Sequence, residues 1–416
     1  MRILLVHNRY QLAGGEDAVL LSEKALLEAH GHSVSVVAAD NDAIQGFLAQ
    51  VLAAARASYS IPSRRRLEAE LCRFRPDVVH IHNLFPVLSP SVLYACAAAR
   101  VPVVHTLHNY RLLCPSAMFF HDGAVCEECQ GRVFAWPAVR YACYRNSRLG
   151  TFLVAAMTAM HSALGTYSRK VTTFIALTEF AREKFVQGGV PPAKIRVKPN
   201  FIAPDPGQGG AGGDYFLFAG RLSPEKGIDV LLRAWQELGR AVPLRIIGTG
   251  PLAAVCAKAA AANPAIQYLG PRPAPELYHA MGEARALILP SRWYEGFPRT
   301  IVESFAKGTP VIAPDLGSMR EIIAHQHTGL RFTPGDHRAL VEAIQWALSH
   351  PGDWDRMRAE ARREYEIRFA AGRNYALLMD IYQDAIAAVK GLRDDVGEPE
   401  TGECCQLLEQ KKAMPV

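Results

Sequence analysis

The stretch ALILPSRWYEGFPRTIVESFAKGTPVIAPD (286–315) decides the fold. An apolar run, ALILPS (286–291), gives way to a short loop. A helical stretch then opens at Pro298, and a second apolar run, PVIAPD (310–315), closes the segment. Strand, helix and strand in that order join neighbours of a parallel sheet, because a parallel pair needs a long crossover. The alternation extends upstream through YFLFAG (215–220), LRIIG (244–248) and IQYLG (266–270). Runs this rich in Val, Ile and Leu are apolar on both faces, so helices should cover the sheet on both sides. The expected class is α/β, doubly wound.

The segment PNFIAPDPGQGGAGGD (199–214) reads as a linker, with three prolines followed by five glycines within 207–213 and no periodicity. Before it lies a second series of apolar runs: RILLV (2–6), VSVVAAD (34–40), DVVHIHN (77–83), PVVHTLHN (102–109) and TFIALT (173–178). A glycine turn at Gly14 and Gly15 follows the first run and leads into a periodic stretch from Glu16 to His30. The chain has 416 residues, beyond the roughly 250–300 at which single cores stop growing. Two Rossmann-like domains joined by a flexible hinge are therefore expected, spanning 1–203 and 204–368. Between the carboxyl ends of their sheets they should form a cleft, where ligands bind in such folds.

Composition narrows the class. With 50% hydrophobic and 21% charged residues, the chain is globular rather than disordered; only the polar stretch 391–416 reads as a disordered tail. Residues 1–200 carry 22 Lys+Arg against 14 Asp+Glu, net +8, and the remainder 24 against 26, net −2. The basic half, with Arg64, Arg65, Arg66, Arg73 and Arg75, suits an anionic membrane surface or a lipid-linked pyrophosphate, although a solvated helix face explains it equally well. MRILLVHNRY is too short in apolar residues for a secretory signal. The expected location is the cytoplasm, with peripheral association at the inner face of the membrane as an option. Leu149 to Tyr167 has no formal charge and the length to span a bilayer, but its Ala, Thr, Ser and Gly content favours a buried or interface-lying helix over insertion.

Two motifs carry the chemistry. In Glu295-Gly-Phe-Pro-Arg-Thr-Ile-Val-Glu303, Pro298 suits the first helical position. Glu295 then falls in the strand-to-helix loop and Glu303 in the second turn. The free N–H groups of the helix start can take a pyrophosphate. In Gly220-Arg221-Leu-Ser-Pro-Glu-Lys226-Gly227, two cations flank a tight turn at a strand's carboxyl end, where Arg offers bidentate contacts and Lys a point charge to a diphosphate. Each motif alone has a bland reading, an ordinary helix entry or a basic surface turn.

Together they resemble the family-four retaining glycosyltransferases of GT-B fold (glycosyl transferases group 1). GRLSPEKGID (220–229) is similar to the family's donor-phosphate segment, and residues 295–323 resemble its E-x7-E region. Gly14-Gly15-Glu16 resembles its glycine loop, HTLHN (105–109) its strand-end histidine segment, and LTEFAREKF (177–185) with KPN (198–200) the end of its first domain. The likeness spans roughly 1–390. It implies a nucleoside-diphosphate sugar donor, a glycan or lipid-linked acceptor in polysaccharide assembly, and no catalytic metal. Arg221 and Lys226 would bind the pyrophosphate, Glu303 the ribose, and Glu295 the sugar with the amides of Gly296 and Phe297. His108 would line the cleft near the anomeric centre, and Gly14 and Gly15 would let backbone approach the donor phosphate. A helix at 369–390 would return to the first domain. His80, His82 and His105 also lie in apolar runs, where a hydrogen-bonded core histidine is commoner than a catalyst.

Cys114, Cys126, Cys129 and Cys143 cluster in an insertion at 110–170. Structural zinc, a disulfide or redox pair, and unliganded thiols all stay open for them. The rival functions are another GT-B activity (a nucleotide-sugar epimerase or a phosphorylase) or a non-enzymatic nucleotide- or nucleic-acid-binding protein. Nucleic acid is not the partner expected.

Overall fold

The computed structural model describes residues 1–9, 15–39, 57–210 and 212–394; Gly14 and the tail from 395 lie outside the described residues. Six parallel strands form the first sheet in the order β2-β1-β3-β4-β7-β8: β1 Arg2–Asn8, β2 Ser33–Ala39, β3 Val78–Ile81, β4 Val103–Leu107, β7 Thr173–Ala176 and β8 Ile195–Val197. Between β4 and β7 a two-stranded hairpin, β5 Phe120–His121 and β6 Ala124–Val125, sits in the cysteine insertion. The second sheet runs β11-β10-β9-β12-β13-β14: β9 Phe216–Ala219, β10 Leu244–Ile247, β11 Ile266–Gly270, β12 Ala286–Ile288, β13 Val311–Pro314 and β14 Gly329–Phe332. Each sheet has an aliphatic core on both faces, as all-parallel sheets require.

The strand order places the site. In the first sheet the connections diverge between β1 and β3, and in the second between β9 and β12. At such switch points the loops leaving adjacent strands turn to opposite faces and open a crevice. The turn at 220–227 leaves β9 and the loop at 289–298 leaves β12, so the two motifs become neighbours across that crevice.

Three features differ from the sequence reading. The glycine-rich linker is not a free hinge: Gly209 N–H donates to the Lys307 carbonyl at 2.9 Å and Gly213 N–H to that of Glu283 at 2.6 Å. Lys307 Nζ also donates to the Pro206 carbonyl at 3.1 Å. Glycines let this strap lie flat on the second domain, where its backbone groups find partners. Leu149 to Tyr167 is not one helix but two, Arg148–Ala163 and Thr166–Lys170, broken at Gly165 in the left-handed region (φ 61). No described helix is long and apolar enough to cross a membrane. Finally, β8 and β14 are edge strands that the pattern did not mark; three or four residues are too few to establish a period.

The last helix, Ala371–Asp394, covers the first sheet: Leu378, Met379, Ile381, Tyr382 and Ala385 pack on Ile3, Leu5, Val78, Val104 and Ile175. The chain thus crosses between domains twice, and the crossings pair side by side through a bridge of Ile202 to Ala370.

Candidate functional site

At the β9/β12 switch point, Pro224–Lys226 forms one 3-10 turn that ends at Gly227 with φ 70. A Cβ on Gly227 would collide with the Pro290 carbonyl, so the turn can close on the β12 loop only with glycine. The result is contact between the motifs: Lys226 Nζ donates to Glu295 Oε1 at 2.7 Å, and Ser291 Oγ donates to the same oxygen at 2.6 Å. Ser318 Oγ fixes the Glu295 backbone by donating to its carbonyl at 2.8 Å. Arg221 lies on the same turn but bonds Glu225 Oε1 at 2.6 Å, its side chain about half exposed.

The helix Arg299–Ala306 begins one residue later than expected, with Pro298 as its N-cap rather than its first residue. Pro298 adopts extended backbone (ψ 93). Glu303 keeps its place in the second turn, half-buried and 3.6 Å from Arg299 Nη2. Burial raises its carboxyl pKa, partly offset by Arg299.

The first domain supplies the opposing wall. A Cβ on Gly296 would run into the His108 carbonyl, so the two domains touch at backbone level beside Glu295. Gly15, the first residue of the helix Gly15–Ala29, faces Arg299 Cδ; a Cβ there would sit 3.8 Å from it. Thus Gly15, His108, Lys226, Glu295, Gly296 and Glu303 belong to one crevice.

His108 is held from behind by residues far apart in sequence. His108 Nε2 and His82 Nδ1 are 3.0 Å apart, with the rings stacked. His82 Nε2 lies 3.3 Å from Glu23 Oε2, and Glu23 Oε1 accepts from Lys198 Nζ at 2.7 Å. Lys198 also donates to Asn374 Oδ1 at 3.0 Å, on the returning helix. His80 bonds Tyr382 and Thr106, each at 2.7 Å. Burial alone would raise the Glu23 carboxyl, but Lys198, His82 and His80 together hold it well below its usual range. Burial, with His82 beside it, lowers His108 well below the ordinary histidine value, so its ring is neutral. In the His82–His108 contact one ring nitrogen bears hydrogen and the other a lone pair, so the tautomers of the two rings are linked.

Among the described residues, Glu23, His80 and His82 are the metal-ligand types whose donor atoms lie within 4.8 Å of one another. The Lys198 ammonium already occupies that carboxylate, and a second cation there would be repelled.

The sequence matches two family models, Glycosyltransferase Family 4 over residues 13–206 and Glycosyl transferases group 1 over 208–364. The chain belongs to this glycosyltransferase family. A D-inositol 3-phosphate glycosyltransferase of Jonesia denitrificans is 36% identical over 168 residues, 36% of this chain and 38% of the relative. A D-rhamnosyltransferase of Pseudomonas aeruginosa is 31% identical over 38% of this chain and 42% of its own length. The chain therefore spans about two fifths of these relatives. A GDP-mannose-dependent alpha-mannosyltransferase of Mycobacterium tuberculosis is 29% identical over 80% of this chain and 78% of its own. The crystal structure of Anabaena HepE in complex with UDP superposes with TM-score 0.64 at 18% identity, covering 94% of this chain and 100% of that one. Sucrose-phosphate synthase from Thermosynechococcus elongatus gives 0.68 at 16%, over 93% and 99%. The fold is GT-B.

The structure brings Gly15, His108, Lys226, Glu295, Gly296 and Glu303 near one another, and behind them stand residues to which no motif gives that place. Glu23 lies mid-helix with no local signal, and Lys198 opens the KPN segment just past a short strand; nothing local pairs the two across 175 positions. His82 is buried, as its apolar run suggests, and it also carries the contact to His108. Cys114, Cys126, Cys129 and Cys143 are unbridged and line one small cavity in the insertion.

Proposed function

We propose that the chain transfers a sugar, with retention at the anomeric carbon, from a nucleoside-diphosphate sugar to a glycan or lipid-linked acceptor. The observation that carries this is the Lys226–Glu295 pair, 2.7 Å apart at the switch point, with His108 on the facing wall. When the bond from the anomeric carbon to the diphosphate breaks, charge builds on the phosphate oxygens. Lys226, Arg221 and the free N–H groups at the start of the helix Arg299–Ala306 stabilise it. Glu303 accepts from the ribose hydroxyls. Glu295 and the amides of Gly296 and Phe297 orient the sugar, and the neutral His108 hydrogen-bonds a sugar hydroxyl from the facing wall. The acceptor oxygen bonds the anomeric carbon on the face that the diphosphate leaves, and its proton passes to the departing phosphate oxygen. The fixed cations supply the neutralisation a divalent metal would otherwise supply, so turnover should persist in chelator. The crystal structures of HepE with UDP and with UDP-glucose support a donor of this class.

An acceptor at a membrane surface is supported by an exposed apolar patch on the insertion. Val133, Trp136, Leu149 and Phe152 are exposed, and Phe134, Trp136 and Phe152 form one aromatic cluster. Arg132, Arg140, Arg145 and Arg148 are exposed in the same segment, giving aromatic and basic groups suited to anionic lipid headgroups.

The test incubates the protein with UDP-, GDP- and ADP-sugars and follows release of the nucleoside diphosphate, with and without chelator. One donor should be turned over, and Lys226→Ala and Glu295→Ala should each slow release about a hundredfold or more. Release that is unchanged in both variants overturns the assignment.

A further inference from the structure

The insertion between β4 and β7 contains a side-chain cluster that the transfer reaction does not use. Cys114, Cys126, Cys129 and Cys143 come from 30 positions of chain and converge on one cavity, closed by Ser116, His121 and Tyr141. The His121 and Tyr141 rings stack over it, with centroids 4.3 Å apart. Each cysteine sits at a defined backbone turn. Cys114 accepts from Ala117 N–H at 2.8 Å, Cys126 N–H donates to Phe119 O at 2.8 Å, and Cys143 N–H donates to Ala138 O at 3.1 Å. Cys126 and Cys129 flank a Cys-x2-Cys turn directly after the hairpin whose tip is Asp122–Gly123.

We propose that these four cysteines bind one Zn²⁺ as thiolates, and that this metal is the core of the insertion. Four sulfurs with one Cys-x2-Cys turn are a donor set for tetrahedral zinc, at about 2.3 Å per bond. Binding replaces four S–H bonds with four Zn–S bonds and releases four protons to solvent, with no oxidant or reductant. The site is not preformed: among the described residues, the ligand groups already within 4.8 Å of one another are those of Glu23, His80 and His82, so the thiols must draw together as the metal binds.

Two further observations favour a metal over free thiols. Ala117, Phe119, Asp122, Ala142, Arg145 and Asn146 all have φ between 47 and 68, a concentration of left-handed non-glycine residues that needs something to hold it. Yet between Cys114 and Cys143 the one large side chain that is buried is Phe119. A module this small and irregular needs a cross-link. One cavity shared by all four sulfurs fits a single centre better than two disulfides.

The module reaches the donor domain. Glu127, inside the Cys-x2-Cys turn, accepts from Lys184 Nζ at 2.7 Å, and that ammonium lies 5.4 Å from the ring centroid of Tyr294, the residue before Glu295. Phe119 packs edge-on against Tyr294, with centroids 6.2 Å apart.

The test measures metal content of the full chain, purified without chelator or metal resin, by plasma mass spectrometry. About one zinc per chain is expected. Cys129→Ser/Cys143→Ser should retain less than about a tenth of it, and Cys72→Ser should retain it all. If the double variant does not fold, the native chain reconstituted with Co²⁺ gives the second readout, a thiolate-to-cobalt charge-transfer band with tetrahedral d–d absorption. A folded native chain without zinc and without that band overturns the proposal. So does iron in place of zinc, or a thiol count showing two disulfides. None of these readouts depends on glycosyl transfer.

Discussion

Glu23 and Lys198 are both fully buried, and neither has water to fall back on. Removing one partner leaves an uncompensated charge in the interior, which costs about 3–5 kcal/mol. Glu23→Gln and Lys198→Met should each lower the unfolding free energy read from urea titration by that amount, and the double variant should recover most of the loss. Additive losses in the double variant would show that the pair is not coupled. Acid should act through the same network. His7, His80, His105 and His108 have pKa values lowered by burial, from the ordinary 6.5, to about 3 in His105. Below 6.5 the unfolded chain therefore binds protons that the folded chain refuses, and stability falls as pH drops. Glu23 adds to this further down: its stabilisation is full above its unfolded value of 4.5 and is lost as pH falls through its lower folded value. Urea midpoints at pH 7.5, 6 and 5 should fall in that order; a midpoint that rises on acidification contradicts the assignment.

At the scale of elements, two loops matter most. Gly227 combines φ 70 with contact to the Pro290 carbonyl, and Gly296 lies against the His108 carbonyl. Gly227→Ala should destabilise the second domain by about 1–3 kcal/mol, read as a lower thermal midpoint. Gly296→Ala should act differently, pushing the domains apart while leaving each core intact. The expected result is at least a tenfold loss of turnover at a nearly unchanged midpoint. Equal turnover in Gly296→Ala would mean that the backbone contact with His108 is not needed. Both turns were legible as motifs, since Gly-x-x-x-x-x-Lys-Gly and Glu-Gly-Phe-Pro are local patterns. Their closeness was not, because it depends on strand order. The start of the helix at Arg299 rather than Pro298 was missed by one residue, the usual margin when a proline can serve either as cap or as first residue.

Across the whole molecule, the returning helix is the element most exposed to test. Its Leu378, Ile381 and Tyr382 cover the strands of the first sheet, and its Asn374 accepts from Lys198 and donates to the Pro199 carbonyl at 2.6 Å. Ending the chain before Ala371 would uncover Ile3, Leu5 and Val78 and remove a partner of the buried lysine. That truncation should accumulate as insoluble protein; a soluble, cooperatively unfolding product would show that the helix is dispensable.

By itself the sequence determined two parallel sheets, the turn chemistry that ends β9 and β12, and the charged groups those turns carry. All of these are set by periods of a few residues and by glycine and proline geometry. Only the tertiary structure decided that Lys226 meets Glu295, that Glu23 and His82 stand behind His108, and that Lys184 lies between Glu127 and Tyr294. Those pairings join residues from different elements, and a buried charge or a fixed tautomer exists only once packing has excluded water around it.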